Sequence, residues 1–282
     1  MPARSQRTRS VLTFSARDTG THNLAHADLA KATQNREVIA FCDHWKAVSG
    51  TDPKMLIMDQ KVTTRAIPGE LGDRGVKFAA LRMRSASLMR YINGLNSSHY
   101  EPVPLDRPGP CNRPKVHEDP AVKLTSYPGT VRQLVITGPG RDAPAVIITS
   151  DTGIKAQALI ERYPRRMTIE QRLAEIIQAS CAGALSSAAS LNVDLDVVPC
   201  VLAQALTAAF RLRLPGNHAH ATPDTLQRRF LDTPGEIIND GDRGVTVKIN
   251  PRAYSPVLRH ARLPDDTTIP WWGGRQLRFQ FA

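Results

Sequence analysis

The sequence lacks the features that mark several common catalytic and exported classes. Its four cysteines form no C-x-x-C pair, and no histidine pair stands near them at zinc-finger spacing. Neither a structural zinc site nor a disulfide framework is therefore predicted. The run Gly138-Pro139-Gly140 lacks the Lys and the Ser or Thr of a phosphate-binding loop, and no G-x-S-x-G motif occurs. These absences argue against a nucleotide-driven enzyme and against a serine hydrolase.

Long apolar runs are missing as well. The longest, residues 197–210, is interrupted by Pro199 and Gln204 and is too short to span a bilayer. Residues 1–10 are basic, but no apolar run follows them, so they do not read as a signal peptide. We therefore predict a cytoplasmic protein with no membrane partner.

What is present is a globular composition with an excess of positive charge. Of 282 residues, 41% are hydrophobic and 22% are charged, which predicts one large domain or two smaller ones around a sizeable core. The net charge of +11 favours a polyanionic partner, such as nucleic acid or an anionic membrane surface. Charge alone does not separate that interpretation from simple solubility.

The first third of the chain alternates between the periods of strands and helices. Strands are predicted at 11–16, 23–29, 55–58 and 76–81, and helices at 34–48 and 64–71. This order predicts an α/β protein with a mixed sheet covered by helices. Chemistry in such sheets gathers at the carboxyl ends of strands, where Asp59 is expected.

In the rest of the chain, the composition and the predicted secondary structure change twice. Residues 85–150 are rich in proline and contain two strand-like runs, 131–137 and 145–149, so they predict a β-rich insertion with long loops. A helix is predicted at 155–181, although Pro164 should kink or split it. A second helix, 197–212, is apolar nearly all round and is expected to be buried. A further strand is predicted at 245–249.

One cluster in the predicted 155–181 helix could carry chemistry. Tyr163, Arg166 and Glu170 follow the spacing Y-x-x-R-x-x-x-E, which places them on one helical face. A carboxylate at Glu170 could face Asp59, and two carboxylates can hold divalent metals. Arg166 could contact a phosphate. Spacing alone favours a plainer interpretation, in which Arg166 and Glu170 form a solvated ion pair and Asp59 caps a turn.

The order of several short motifs resembles bacterial insertion-sequence transposases of the DDE class. The motifs are Phe41-Cys42-Asp43-His44-Trp45-Lys46, Gly50, Leu56-Ile57-Met58-Asp59, Thr63-Thr64, Leu81-Arg82-Met83-Arg84, Leu159-Ile160-Glu161-Arg162-Tyr163 with Arg166-Met167 and Ile169-Glu170, Ala184-Leu185-Ser186-Ser187, and Ile269-Pro270-Trp271-Trp272-Gly273-Gly274. The resemblance runs from about residue 11 to the end of the chain.

This resemblance implies a ribonuclease-H-like mixed sheet flanked by helices, with a β-rich insertion. The implied segments are 1–84 and 151–215 for the catalytic core, 85–150 for the insertion and 216–282 for a C-terminal extension. Asp59 and Glu170 would be the second and third metal-binding carboxylates, holding Mg²⁺ or Mn²⁺. Tyr163 and Arg166 would position the end of the transposon DNA. The implied reaction is DNA cleavage followed by strand transfer, so the implied partners are transposon ends and target DNA.

The chain departs from the family at its beginning. The first catalytic Asp should lie on a strand before 11–16, yet residues 1–10 contain no Asp or Glu. We therefore expect an N-terminally truncated transposase that lacks the first core strand and is weak or inactive by itself. The resemblance further implies association with the nucleoid and allows a homodimer.

Two alternatives stay open. The first is a basic remnant that binds DNA or joins intact transposase subunits without catalysis. The second is an unrelated metal-dependent nuclease with the same kind of core.

Overall fold

A computed structural model of the chain describes most, but not all, of its residues. The described residues are 11–16, 21–27, 35–59, 67–109, 111–124, 127–138, 143–166, 190–261 and 267–281, together with positions 169, 171 and 174. The chain divides into two compact units, and each is considered by itself. Unit 1 comprises Met1–Leu12 and Ala27–Gln171, and unit 2 comprises Thr13–His26 and Arg172–Ala282.

Unit 1 contains a sheet and the helices that cover it. Its strands are β3 (Met55–Met58), β4 (Lys77–Leu81), β5 (Glu101–Pro102), β6 (Lys115–Lys123), β7 (Thr130–Thr137) and β8 (Ala145–Thr149). Its helices are α1 (Arg36–Ser49), α2 (Ile67–Asp73), α3 (Ala86–Asn93) and α4 (Ala156–Arg162), and the 3-10 turn Tyr163–Arg166 follows α4 directly. The predictions for α1, β3, β4, β7 and β8 are confirmed to within two residues.

The sheet of unit 1 has six strands in the order β3-β4-β8-β7-β6-β5. Strands β3 and β4 run parallel, with Met58 opposite Ala80. Strand β8 is antiparallel to β4, and the remaining neighbours are antiparallel too. Unit 1 is therefore mixed α/β, as predicted.

Helices cover both faces of this sheet, because its strands alternate apolar side chains between the two faces. On one face, α4 buries Leu159 and Ile160 against Leu134, Ile136 and Ile147. On the other face, α3 buries Leu88 and Ile92 against Val135 and Val146.

Helix α1 ends where the sequence predicted. Gly50 adopts a left-handed φ of 80° and its N–H donates to the Lys46 carbonyl, which closes the last turn.

A buried arginine ties the sheet to the segment before α4. Arg132 on β7 is only 6% exposed and forms a two-pronged ion pair with Glu118 on β6, at 2.6 and 2.8 Å. Its Nη1 also donates to the Ile154 carbonyl, just ahead of α4. Charge-assisted pairs of this geometry are strong, so Arg132 helps to fix where α4 begins.

Strand β6 was not predicted, because Pro120 and four charged residues made this stretch look like a loop. The register between β6 and β7 shifts between Asp119 and Val122, which is a β-bulge. A bulge accommodates a proline, since the missing N–H is then not needed in the ladder. The proline-rich stretch thus contains helix α3 and four strands joined by loops.

Unit 2 contains a smaller sheet and a long helix. Strands β9 (Gly235–Asn239), β10 (Gly244–Ile249), β11 (Thr267–Ile269) and β12 (Arg275–Phe281) form a four-stranded sheet in the order β11-β12-β10-β9. The helices are α5 (Ser190–Arg211), α6 (Pro223–Leu226) and α7 (Ser255–His260). The core of this unit gathers Leu214, Leu226, Phe230, Leu258 and Ala261.

Two expectations for this part of the chain are wrong. Helix α5 buries Val197, Cys200 and Ala208, but Leu202 and Leu206 are 59% and 72% exposed, so the helix is buried on one side only. Strands β1 (Val11–Ser15) and β2 (His22–Ala27) were expected to join the main sheet. They pair with each other in a separate two-stranded sheet.

The predicted segment boundaries are only partly comparable with these units. Strands from both predicted segments 1–84 and 85–150 join one sheet, through the pairing of β4 with β8. The insertion and the missing first strand stay predictions. No helix in the described part of the chain is long and apolar enough to cross a membrane.

Replacing Gly244 should destabilise unit 2. Its φ is 139°, and a methyl group built there would collide with the Gln276 carbonyl oxygen of the neighbouring strand β12. We expect Gly244→Ala to lower the free energy of unfolding by about 3 kcal/mol, from backbone strain and the clash together. Urea denaturation followed by circular dichroism measures it.

Gly241→Ala is the matched control. Gly241 also has a left-handed φ, 65°, but nothing lies within 4 Å of the added methyl group. Only conformational strain of about 1 kcal/mol is expected there. Equal losses for the two variants would contradict the close approach of β10 to β12.

Candidate functional site: the carboxyl edge of β3 and β4

Two parallel strands end together at one edge of the main sheet. Because β3 and β4 are parallel and in register, their carboxyl ends lie side by side. Asp59 follows β3, and the exposed Arg84 comes shortly after β4. We call this place the carboxyl edge. It is the position at which open α/β sheets most often carry a site.

A buried hydrogen bond brings a distant segment to this edge. The hydroxyl of Tyr163 donates to the backbone carbonyl of Met58 at 3.1 Å, although the two residues are 105 positions apart. Met58 and Tyr163 are 5% and 7% exposed. The bond therefore fixes the 3-10 turn Tyr163–Arg166 next to the end of β3, one residue before Asp59.

The local sequence explains why the turn is there. Pro164 cannot continue the hydrogen-bond ladder of α4, which ends at Arg162, so the predicted 155–181 helix is interrupted where Pro164 was expected to kink or split it. Tyr163 then packs its ring into the apolar cluster beneath α4, which also includes Ala79 and Ile136. A tyrosine suits this place, since its ring is buried while its hydroxyl still finds an acceptor.

Asp59 is half-buried. Met55 and Ile57 pack against the same apolar cluster as Tyr163. Continued alternation along the strand puts Asp59 on that face too. The carboxylate and the turn are therefore on one side of the sheet.

The outcome differs among the four predicted site residues, which are Asp59, Tyr163, Arg166 and Glu170. Asp59 and Tyr163 are brought to the same edge. The Tyr163 side chain is buried, so what it does here is to anchor the turn. The backbone of Arg166 ends that turn, at the same edge. Glu170 lies outside the described residues, and its proposed role stays a prediction.

A series of side-chain hydrogen bonds, which the sequence did not reveal, fixes the position of Arg82. The Nη1 of Arg82 donates to the side-chain oxygen of Gln133, and the Gln133 amide donates to Asp119 at 2.8 Å. Gln133 is 1% exposed, so this series crosses the core of the sheet. Burial lowers the pKa of Arg82, while the charge of Asp119 opposes that shift. In the sequence, the only sign of these hydrogen bonds is Gln133, a polar residue inside an apolar strand.

The same aspartate continues the series beneath α3. The Tyr91 hydroxyl donates to Asp119 at 2.7 Å, and His117 Nε2 lies 3.1 Å from the same oxygen. Burial, followed by the bond to Asp119, raises the pKa of Tyr91 to about 12. Tyr91 therefore stays protonated and donating at neutral pH. These contacts make Asp119 a structural acceptor.

The Glu161 carboxylate, two residues before Tyr163, is also in use. Glu161, in the last turn of α4, accepts from the Asp106 amide at 2.7 Å and from Gln157 at 3.1 Å. It secures the loop that follows β5. Glu161 is therefore a weak candidate for a metal ligand.

The described residues do not complete a site for Mg²⁺ or Mn²⁺. Such ions require several oxygen ligands. Among the described residues, no group of three or more His, Cys, Asp or Glu side chains is arranged to hold a metal ion. Of the two predicted ligands, only Asp59 is within the described ranges.

Comparison with known proteins adds no name to this geometry. No protein-family model matches the chain, and no curated protein matches it either.

Removing the Tyr163 hydroxyl should destabilise the carboxyl edge. Tyr163→Phe removes a buried hydrogen bond to the Met58 carbonyl, which we expect to cost about 1 kcal/mol of unfolding free energy. Urea denaturation gives that loss. Hydrogen exchange of the turn 163–166 should quicken in the same variant.

Tyr127→Phe serves as its control in unit 1. The Tyr127 ring packs edge-on against Phe78, and its hydroxyl makes no hydrogen bond within the described part of the chain. That change should be close to neutral. If the two variants lose equal stability, the Tyr163 bond does not hold the edge.

Proposed function

We propose that this chain acts on DNA, and that the carboxyl edge of β3 and β4 is where it meets the DNA backbone. The reaction proposed for the complete site is DNA phosphoryl transfer of the DDE transposase type. The fold proposed is ribonuclease-H-like, with residues 85–150 as the β-rich insertion. A six-stranded mixed sheet flanked by helices is compatible with that fold.

One observation carries the proposal. The resemblance selects two segments far apart in the chain, Leu56–Asp59 and Tyr163–Arg166. The Tyr163–Met58 hydrogen bond brings these same two segments together. Two unrelated matches would have no reason to meet at the carboxyl end of a strand.

Charge supports DNA as the partner. The chain carries a net charge of +11. Arg82 and Arg84 follow β4 at the carboxyl edge, and Arg82 is held in place by the buried Gln133. Basic groups of this kind bind phosphates and release counterions, so the binding should weaken steeply with salt.

A second candidate is DNA binding without catalysis, either as a remnant or as a partner of an intact transposase. The net charge of +11 favours it, because binding to phosphates needs no metal. Nicking of supercoiled plasmid in Mn²⁺ that is lost in Asp59→Asn would favour catalysis. Salt-sensitive binding that needs no metal, with no nicking, would favour the binding function.

The contribution of the carboxyl edge can be measured with Arg84→Ala. Arg84 is exposed, so its removal should leave the fold intact. We expect weaker binding to duplex DNA, and a fall of about 1 in the slope of log affinity against log salt. Fluorescence anisotropy with a labelled duplex at several salt concentrations gives both quantities.

Lys54→Ala is the matched control, because it removes one positive charge at the opposite, amino end of β3. Its salt slope should stay at the wild-type value. Equal effects of the two substitutions would mean that DNA affinity depends only on net charge. That result would contradict a DNA site at the carboxyl edge.

A further inference from the structure

An exposed tryptophan pair stands at the tip of the β11–β12 hairpin in unit 2. Trp271 is 88% exposed and Trp272 is 46% exposed. Both lie in the 3-10 turn Pro270–Trp272, between two antiparallel strands. A side chain this large and apolar is normally buried at least in part, because burial is worth a few kcal/mol. Its exposure points to a binding role.

The backbone holds this turn firmly. Gly273 and Gly274 both adopt left-handed conformations, with φ of 65° and 72°. The Gly274 N–H donates to the Ile269 carbonyl at 3.1 Å, which closes the turn. Pro270 fixes its own φ at the start of the turn. The backbone that carries the tryptophans therefore has little conformational entropy left to lose on binding.

The charged side chains of the hairpin itself are both basic. In residues 267–281, the charged side chains are Arg275 and Arg278, and no acidic residue occurs. The Arg275 guanidinium lies 5.9 Å from the centre of the Trp272 ring, a cation–π contact. Trp272 is thus engaged by Arg275, whereas Trp271 is the more exposed ring.

We propose that Trp271 is a stacking platform for an unpaired nucleobase, with Arg275 next to a flanking phosphate. An aromatic ring beside cationic side chains is the arrangement that binds single-stranded nucleic acid, since every base has a face that can stack. A bilayer surface fits less well, because Thr267, Thr268 and Gln276 surround the turn with polar groups. The inference rests on the proposed function only in taking DNA as the partner.

The test uses the full chain in a Trp45→Phe background, so that the fluorescence comes from Trp271 and Trp272. The probes are single-stranded oligo(dT) and an abasic oligonucleotide of equal length and charge. We expect oligo(dT) to quench the fluorescence and the abasic strand to quench it far less. Trp271→Ala should weaken oligo(dT) binding about tenfold, and Trp271→Phe should restore most of it.

The salt slope separates stacking from charge. Trp271→Ala should leave the slope unchanged, because no charge is removed, whereas Arg275→Gln should lower it. Leu231→Ala is the control, since Leu231 is another exposed apolar residue of unit 2, at 66%. It should bind oligo(dT) like the parent chain.

Three results would overturn the inference. They are equal quenching by the two strands, wild-type affinity in Trp271→Ala, and a blue shift on anionic lipid vesicles without any response to oligo(dT). Failure here leaves duplex binding at Arg84 untouched, so the two proposals fail separately.

Discussion

The hydrogen bond from Tyr163 to the Met58 carbonyl links two parts of the chain that are far apart in sequence. It is buried, and the Tyr163 hydroxyl would lose its acceptor if the two segments separated, which makes its loss costly. Because Pro164 ends α4 next to it, the chain turns at this point, and the turn Tyr163–Arg166 stays at the end of β3. Everything proposed for the carboxyl edge depends on that placement, since Asp59 and Arg166 belong to different elements.

The other buried polar groups of unit 1 mostly stabilise its structure. Arg132 holds Glu118 and the entry to α4, while Gln133 joins Arg82 to Asp119. Buried charges and amides with partners specify one arrangement of the strands, because any slip would leave them unpaired. The outcome is a rigid sheet that presents Arg84 in solvent. In these proposals, unit 1 contacts duplex DNA and unit 2 stacks an unpaired base.

The sequence predicted those elements whose signal is local. A four-residue apolar run followed by Asp59 predicted β3, and Pro164 predicted the end of α4. It could not predict the Tyr163–Met58 bond, because no local pattern connects residues 105 positions apart. It missed β6, where a bulge accommodates Pro120. It misjudged α5, because an apolar stripe on each side of a helix does not tell which side is covered. The role of Glu170 rests on resemblance alone.

The central claim is that DNA lies at the carboxyl edge, and hydrogen–deuterium exchange of the full chain with and without duplex DNA tests it most directly. A bound duplex should slow exchange at residues 82–85 and 163–166, whose amides follow the ends of regular elements. Residues 51–54 and 74–76, at the amino ends of β3 and β4, should not change. Protection confined to that opposite edge, with none at 82–85 or 163–166, would contradict the account.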